Sequence, residues 1–399
     1  MLVSTFIVKI VNMMTINFNI EKKYFLDNFF EKKPYVFKGI YDVNFINRSE
    51  IEDIYNRSDL ESFEGLKLMY NGILDKREYL ESYQDLGNTR YRYIYSKLYD
   101  YLNAGATLVA NGIINEPKID YLAKCCSSLT DSHTFSSIYL SYGEKSSFKP
   151  HWDSRDIFVI QLTGKKRWVI YEPSFQNPLY VHQSKDMEDI YPCPSEPYDD
   201  FVLEAGDVLY LPRGWWHNPL PVGEETIHLS VGIFPPYVFN YLYWLSNKIN
   251  DFEIGRKSLP RSWVQAKSEI EDLSKFIFKY LGSEEAYNEF LQSIGSEQRI
   301  PNKLNLDLFC NNKSKLSDKA YLRINSNNNL SIDDGYVICN GIKLNLDHRS
   351  TELLKKIDDN PYISLKKLLS FFETEMHEKM KELIYNLGYQ NILEIINDL

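Results

Sequence analysis

The 399-residue chain has little cysteine: five residues, an odd number, with no Cys-X-X-Cys pair. Cys125 and Cys126 are adjacent, a placement that rarely bridges, so a reduced, cytoplasmic chain is expected. No apolar run is long enough to span a bilayer, so no membrane association is expected. The opening segment Met1–Val11 faintly resembles a signal sequence. It lacks a basic leader and a small-residue cleavage site, and Lys9 interrupts it. Met13 and Met14 offer alternative starts, and the first dozen or so residues read as an extension. Positive charge is also in deficit. With 45 Lys and Arg against 55 Asp and Glu, the formal net charge is −10. That excludes a global basic field for nucleic acid, while an acidic surface stays compatible with a basic protein substrate.

What is present is a large apolar fraction, 44%, enough for two or three domains with substantial cores. The most informative feature is the triplet His151-Trp152-Asp153. On a strand, residues i and i+2 share a face. His151 and Asp153 can then reach one ion while Trp152 points away. An isolated histidine, His217, follows the turns Gly206-Asp207 and Pro212-Arg213-Gly214. Two imidazoles and one carboxylate hold a metal on one face and leave the other open, the ligand set of non-haem Fe(II) centres. Taken singly, the triplet reads more readily as a surface accident, and His217 as a core or surface histidine. The β setting links them. Asp156–Leu162 is rich in β-branched residues, and Lys165–Tyr171 reads as its partner strand. Val208–Leu211 and Thr226–Phe234 read as further strands. Many short strands separated by turns indicate a barrel or jelly roll.

The stretch Pro150–Trp168 (PHWDSRDIFVIQLTGKKRW) resembles the core of the JmjC-type, cupin-like 2-oxoglutarate oxygenases, most nearly their ribosomal-oxygenase branch. Glu204–His217 (EAGDVLYLPRGWWH) resembles that family's second metal motif, and Gly105–Asn111 and Tyr24–Pro34 its lead-in segments. The resemblance implies a mainly β catalytic domain, a double-stranded β-helix of the jelly-roll type. It implies His151, Asp153 and His217 as ligands of Fe(II), with 2-oxoglutarate as cosubstrate and O2 as oxidant. It puts Lys166 at the distal carboxylate of the cosubstrate, with Tyr139 and Ser137 as further polar contacts. A dicarboxylate held at one end by a metal does need a cation at the other. Strand alternation groups Lys166 with Trp168 on one face and Lys165 with Arg167 on the other. The competing reading is a solvated basic face. Tyr139 and Ser137 read equally as ordinary strand residues. His228, with Ser230 on its face, is either a group behind the ligands or a core histidine. Trp152, Arg155, Trp215, Trp216 and Asn218 are candidates to line a substrate mouth, with the barrel core as the competing place for the tryptophans.

Pro235-Pro236 marks a boundary. The expected division is an N-terminal extension over 1–22, the catalytic domain over 23–236, an α-helical module over 237–300 and a small α+β, winged-helix-like domain over 301–399. The segment from Tyr237 to about Gly295 reads as mainly helical. Helices are predicted over Trp263–Tyr280 and Ser283–Ile294, with Gly295 as a stop. Surplus apolar surface there suggests a dimer interface, which the resemblance also implies; packing within a monomer is the alternative. Ala320–Ile332 predicts a hairpin with an Asn-rich turn, and Gly335–Leu346 a second around Asn340-Gly341. Further helices are predicted over 350–357, 364–372 and 375–387. Winged helices often bind DNA, but residues 301–399 hold 13 Lys and Arg against 14 Asp and Glu. No phosphate-binding face follows from that balance.

Three function classes follow. The first is a 2-oxoglutarate-dependent hydroxylase of a protein side chain, with a ribosomal protein as the implied partner. The second is the same chemistry on a methylated lysine, a tRNA base, or a biosynthetic peptide or small molecule. The third is a non-redox cupin-like metal protein, which Lys166 argues against.

Overall fold

The computed structural model describes residues 16, 18–62, 64–143, 146–311, 315–327 and 329–396. Most of the expected N-terminal extension, residues 1–15 and 17, lies outside them. The chain divides into two compact units, Met1–Phe234 and Pro235–Leu399. The strands of the first are Tyr35–Phe37 (β1), Leu66–Met69 (β2), Leu80–Asp85 (β3), Asn88–Tyr93 (β4), Thr107–Asn111 (β5) and His133–Ser141 (β6). They continue with Asp156–Thr163 (β7), Lys165–Tyr171 (β8), Asp199–Glu204 (β9), Val208–Leu211 (β10), Trp216–Pro221 (β11) and Thr226–Phe234 (β12). Seven form one sheet in the order β1-β10-β7-β12-β6-β5-β2, and three form a second in the order β11-β8-β9. All pairings are antiparallel.

Apolar residues from both sheets make the layer between them. Ile157, Val159, Leu209 and Leu211 come from the large sheet, Trp168, Ile170 and Leu203 from the small one. This is the expected double-stranded β-helix. β7 is buried along nearly its whole length, which explains why its sequence is a continuous apolar run rather than an alternation. On the other face of the large sheet the helix Pro117–Thr130 packs against β6 and β12.

One expectation is corrected. β7 and β8 are consecutive but do not pair: β7 lies between β10 and β12, and β8 between β11 and β9. The chain crosses from one sheet to the other at Gly164. Its φ is +67°, and a Cβ there would stand 1.9 Å from the Glu225 carbonyl oxygen. A local hairpin is therefore replaced by a corner that only glycine can make.

The second unit begins with helices Val238–Lys248, Glu253–Arg256, Trp263–Leu281 and Glu284–Glu297. Ser283 caps the last, its side chain accepting from the Ala286 amide. Gly295 does not stop that helix, which runs on to Glu297. A Cβ at Gly295 would touch Ile338 at 3.4 Å, so the glycine marks a packing contact.

The strands here are Tyr321–Ile324 (β13), Tyr336–Cys339 (β14), Ile342–Asn345 (β15), Ile363–Ser364 (β16) and Leu393–Ile396 (β17). Among the described residues the hairpin predicted over 320–332 does not form. β13 instead pairs with β16 and β17, and the chain after it is held by Asn325, whose amide donates to the Ile392 carbonyl. The hairpin of β14 and β15 does form, with Asn340 at φ 50° and Gly341 at φ 83°, the conformation of a type I′ turn. Helices His348–Asp358, Leu365–Leu369 and His377–Tyr389 cover a core that includes Leu322, Val337, Leu353, Leu368 and Ile384. Among the described residues no helix is long and apolar enough to cross a membrane.

Candidate metal centre

His151 lies just ahead of β7, and His217 is the second residue of β11. Their backbones form an isolated antiparallel bridge: the His151 amide donates to the His217 carbonyl at 3.1 Å, and His217 returns the bond at 2.8 Å. The Pro212-Arg213-Gly214 turn is tied in by the Gly214 amide, which donates to the Asp153 carbonyl at 3.0 Å. These bonds gather three side chains distant in sequence. One ligand atom from each of His151, Asp153 and His217 lies within 4.8 Å of the others.

The tautomers suit a cation. Nδ1 of His151 lies 2.8 Å from the Lys149 carbonyl, and Nδ1 of His217 lies 3.1 Å from the Trp215 carbonyl. A carbonyl only accepts, so each Nδ1 carries the proton and each Nε2 presents a lone pair. His217 Nε2 is 3.8 Å from a carboxylate oxygen of Asp153. Burial drives the His217 pKa down to about 4, with His151 adding to the effect and Asp153 opposing it. Burial works against an ionised Asp153, yet the charges of His217, His151 and Arg155 outweigh it and lower its pKa. A neutral His217 imidazole beside an ionised Asp153 carboxylate is the protonation state that metal ligation requires.

β8 settles the direction of Lys166. The β8–β11 register sets Ile170 opposite His217 and Trp168 opposite Pro219. Lys166, Trp168 and Ile170 share that inner face. Lys165 and Arg167 point outward to Glu204 and Asp200, at 2.7 and 2.5 Å. Lys166 is 3% exposed and lines the same cavity as the three candidate ligands. Burial lowers its pKa to about 8. Among the described residues it has no carboxylate within ion-pair distance. A buried ammonium without an anion is costly, and an anionic ligand offsets that cost.

His228 also lines the cavity, stacked on Tyr139 with ring centroids 4.8 Å apart and planes at 3°. Its pKa is held well below the ordinary value by burial and then by Lys166 and His217. His228 Nδ1 and Trp168 Nε1 are both buried without a hydrogen-bond partner. A polar ligand beside Lys166 could satisfy them.

The other candidates separate. Tyr139 lines the cavity. Ser137, two residues along the same face, donates to Asn111 Oδ1 at 2.6 Å. Trp152 points away from the ligands, as its place in the triplet predicts, into a buried contact with Phe175 and Trp216. Trp216 donates Nε1 to Ser174, and Trp215 belongs to the core between the sheets. All three tryptophans are buried. Asn218 alternates with His217 and faces away from the cavity. Arg155 sits between Phe135 and Phe234. The sequence reading did not single out Phe148 or Pro219 as cavity walls, nor the Tyr139–His228 stack. Alternation along β12, which puts His228, Ser230, Gly232 and Phe234 on one face, was the available signal.

A two-sheet β-helix with two histidines and one aspartate converging between the sheets defines a cupin-like metal-binding barrel. Residues 108–241 match the JmjC domain and residues 271–394 match the ROXA-like winged helix. The first unit thus carries a segment similar to the JmjC domain, and the second one similar to the ROXA-like winged helix. It is similar to the bifunctional lysine-specific demethylase and histidyl-hydroxylase NO66 of Dictyostelium discoideum, 38% identical over 101 residues, which are 24% of this chain and 19% of that protein. It is also similar to ribosomal oxygenase 1 of Danio rerio, 26% identical over 223 residues, 54% of this chain and 38% of that one. The chain thus spans well under half the length of these curated relatives. The solved structure of the Escherichia coli ribosomal oxygenase YcfD with cobalt and 2-oxoglutarate shares the fold, with a TM-score of 0.58. It is 19% identical, over 95% of this chain and 99% of that one.

Proposed function

We propose that the chain is an Fe(II)- and 2-oxoglutarate-dependent oxygenase that hydroxylates an amino-acid side chain of a protein, a ribosomal protein by analogy with its named relatives. The observation that carries this is the pairing, in one cavity, of a two-histidine, one-carboxylate cluster with a buried lysine that has no anion of its own. A non-redox cupin protein has no need of that cation.

His151, Asp153 and His217 would hold the metal through Nε2, a carboxylate oxygen and Nε2, leaving the remaining positions open. With 2-oxoglutarate and O2 bound, the iron supplies the oxidising power to put oxygen into an unactivated C–H bond, with succinate and CO2 as the other products. The chain's own residues then do the positioning. The Lys149 and Trp215 carbonyls fix the two imidazole rings. Lys166 would clamp the far carboxylate of the cosubstrate, and Tyr139 lies where it can contact the same molecule. His228, held neutral, would add no charge beside that carboxylate. Ile157, Val159 and Trp168 give the cavity apolar walls, which would disfavour water beside the metal.

The domain division at 236 and 300, a cytoplasmic location and a homodimer belong to the same proposal. The dimer is supported by apolar side chains left bare on the helix Trp263–Leu281. Trp263, Val264 and Phe278 are 68%, 85% and 86% exposed. The test is conversion of 2-oxoglutarate to succinate by Fe(II)-loaded protein, lost in His151→Ala and Asp153→Ala. Mass spectrometry of ribosomal proteins from cells with and without the enzyme should then show one side chain heavier by one oxygen. Succinate formation that survives both substitutions would sink the assignment.

A further inference from the structure

We propose that Arg155 is a specificity residue that selects a substrate presenting a carboxylate next to the carbon to be oxidised. The inference rests on the oxygenase reading above and deepens it. On β12 Ser230, Gly232 and Phe234 share a face with His228, and on β6 the register sets Phe135 opposite Gly232. His228 and Ser230 line the metal cavity. Gly232 and Phe234 continue that face away from His228, about 7 Å further per pair of residues. Arg155 lies across this outer level, and its guanidinium carbon is 5.8 Å from the ring centroid of Phe135 and 5.8 Å from that of Phe234. The missing side chain of Gly232 makes the room: a Cβ there would stand 2.9 Å from Arg155 Cδ and 3.1 Å from Nε.

Both rings lie within cation–π reach of the guanidinium. Its N–H donors are left for another partner. That partner is not supplied by the protein: among the described residues Arg155 has no ion pair and no hydrogen bond to its head group. Asp153 and Tyr139 feel its charge, yet Asp153 stays beyond ion-pair distance. A half-buried guanidinium with unused N–H donors suits the two oxygens of a carboxylate. Lys166, the cation that lines the cavity, is buried with the candidate ligands and already suits the cosubstrate. Arg155, nearer the surface, is left for the substrate. An acidic side chain or a free chain end would supply the same group.

The test uses the full chain loaded with Mn(II) and 2-oxoglutarate, in wild-type, Arg155→Gln and Arg155→Glu forms. The probes are capped, fluorescent hexapeptide libraries with one position fixed as Glu, Gln or Lys, and a Gln library with a free terminal carboxylate. Anisotropy reads binding. The wild type should favour the Glu or the free-terminus library over the capped Gln library by on the order of tenfold, and whichever of the two wins identifies the source of the carboxylate. Arg155→Gln should erase the preference, and Arg155→Glu should transfer it to the Lys library, a gain that damaged folding could not produce. Equal binding of all libraries by the wild type, or a preference that survives in Arg155→Gln, overturns the proposal. So does an Arg155→Gln protein that keeps its peptide preference but binds 2-oxoglutarate more weakly, because Arg155 would then serve the cosubstrate. Wild-type protein that fails to bind 2-oxoglutarate in a Mn(II)-dependent way overturns the oxygenase reading itself, and that arm involves no peptide.

Discussion

Two buried ionisable side chains, Lys166 and Asp156, carry opposite risks. Lys166 is buried as a cation without an anion, so the free protein holds it at a cost that cosubstrate binding would relieve. A charge-assisted contact of this kind is worth about 1.5–3 kcal/mol. Lys166→Met should therefore weaken 2-oxoglutarate binding roughly 10- to 100-fold while leaving metal affinity nearly unchanged. Isothermal titration of the Mn(II)-loaded protein separates the two. Asp156 is fully buried at the start of β7, where it accepts from the Tyr210 hydroxyl and from the Arg213 amide at 3.0 Å. Burial is the main cause that raises its pKa to about 6, and Glu31 pushes the same way. The folded state thus holds the proton more tightly than the unfolded chain, where aspartate titrates near 3.9. The associated stabilisation is complete below about pH 4 and is lost as pH rises through about 6. It amounts to about 3 kcal/mol at most, at 1.36 kcal/mol per pKa unit. In urea unfolding, the stability of the wild type relative to Asp156→Asn should rise when pH is lowered from 7 to 5. A difference that does not change with pH counts against the shift.

At the scale of elements, the signals that read correctly were those whose cause is local. Alternation along β8 sorted Lys166 and Trp168 from Lys165 and Arg167, because a strand can put a side chain on only two sides. Asn340-Gly341 announced the β14–β15 hairpin through its own backbone preference. The i+2 spacing of His151 and Asp153 survived although both lie in the irregular lead-in to β7 rather than on the strand. The misread signals had distant causes. Asn325 is fixed by Ile392 and Asn391, far along the chain, so nothing near β13 showed that its partner was β17. Gly295 was read as a terminator although it is small because Ile338 packs on it. Lys165–Tyr171 reads as the partner of β7, whereas Gly164 before it is the corner between two sheets. That difference has a measurable consequence. A type I′ hairpin glycine at φ > 0 mainly resists strain, whereas Gly164→Ala would also drive a methyl group into the Glu225 carbonyl at 1.9 Å. Strain and overpacking together should cost roughly 3 kcal/mol. The midpoint of the thermal transition by circular dichroism should fall by about 6–12 °C. A fall of a degree or less would show that the corner can shift to make room.

At the scale of the whole molecule, the bare apolar surface of the second unit asks for an explanation. A 19-residue helix, Trp263–Leu281, is about 28 Å long at 1.5 Å per residue. At 100° per residue, Trp263, Val264 and Phe278 fall within one arc of about 100°. Lys267 and Glu271 lie between them on the same arc, 3.8 Å apart. Apolar residues at both ends of a face, with opposite charges in the middle, make a self-complementary surface, which is what a two-fold contact requires. Val238, Leu242 and Tyr243 on the helix Val238–Lys248 are also more than half exposed. Leaving so much apolar area in water forfeits about 25 cal/mol for each Å² that a partner could cover. Light scattering at micromolar concentration should therefore report twice the 47.0 kDa chain mass. The double substitution Trp263→Glu with Phe278→Glu puts four like charges across the two-fold axis and removes both anchors, so it should yield a monomer with an unchanged helical spectrum. A wild-type monomer, or a double variant that stays dimeric, would move the dimer contact elsewhere or remove it. If the variant is monomeric but still forms succinate at the wild-type rate, each barrel works alone, and the second unit serves assembly rather than chemistry.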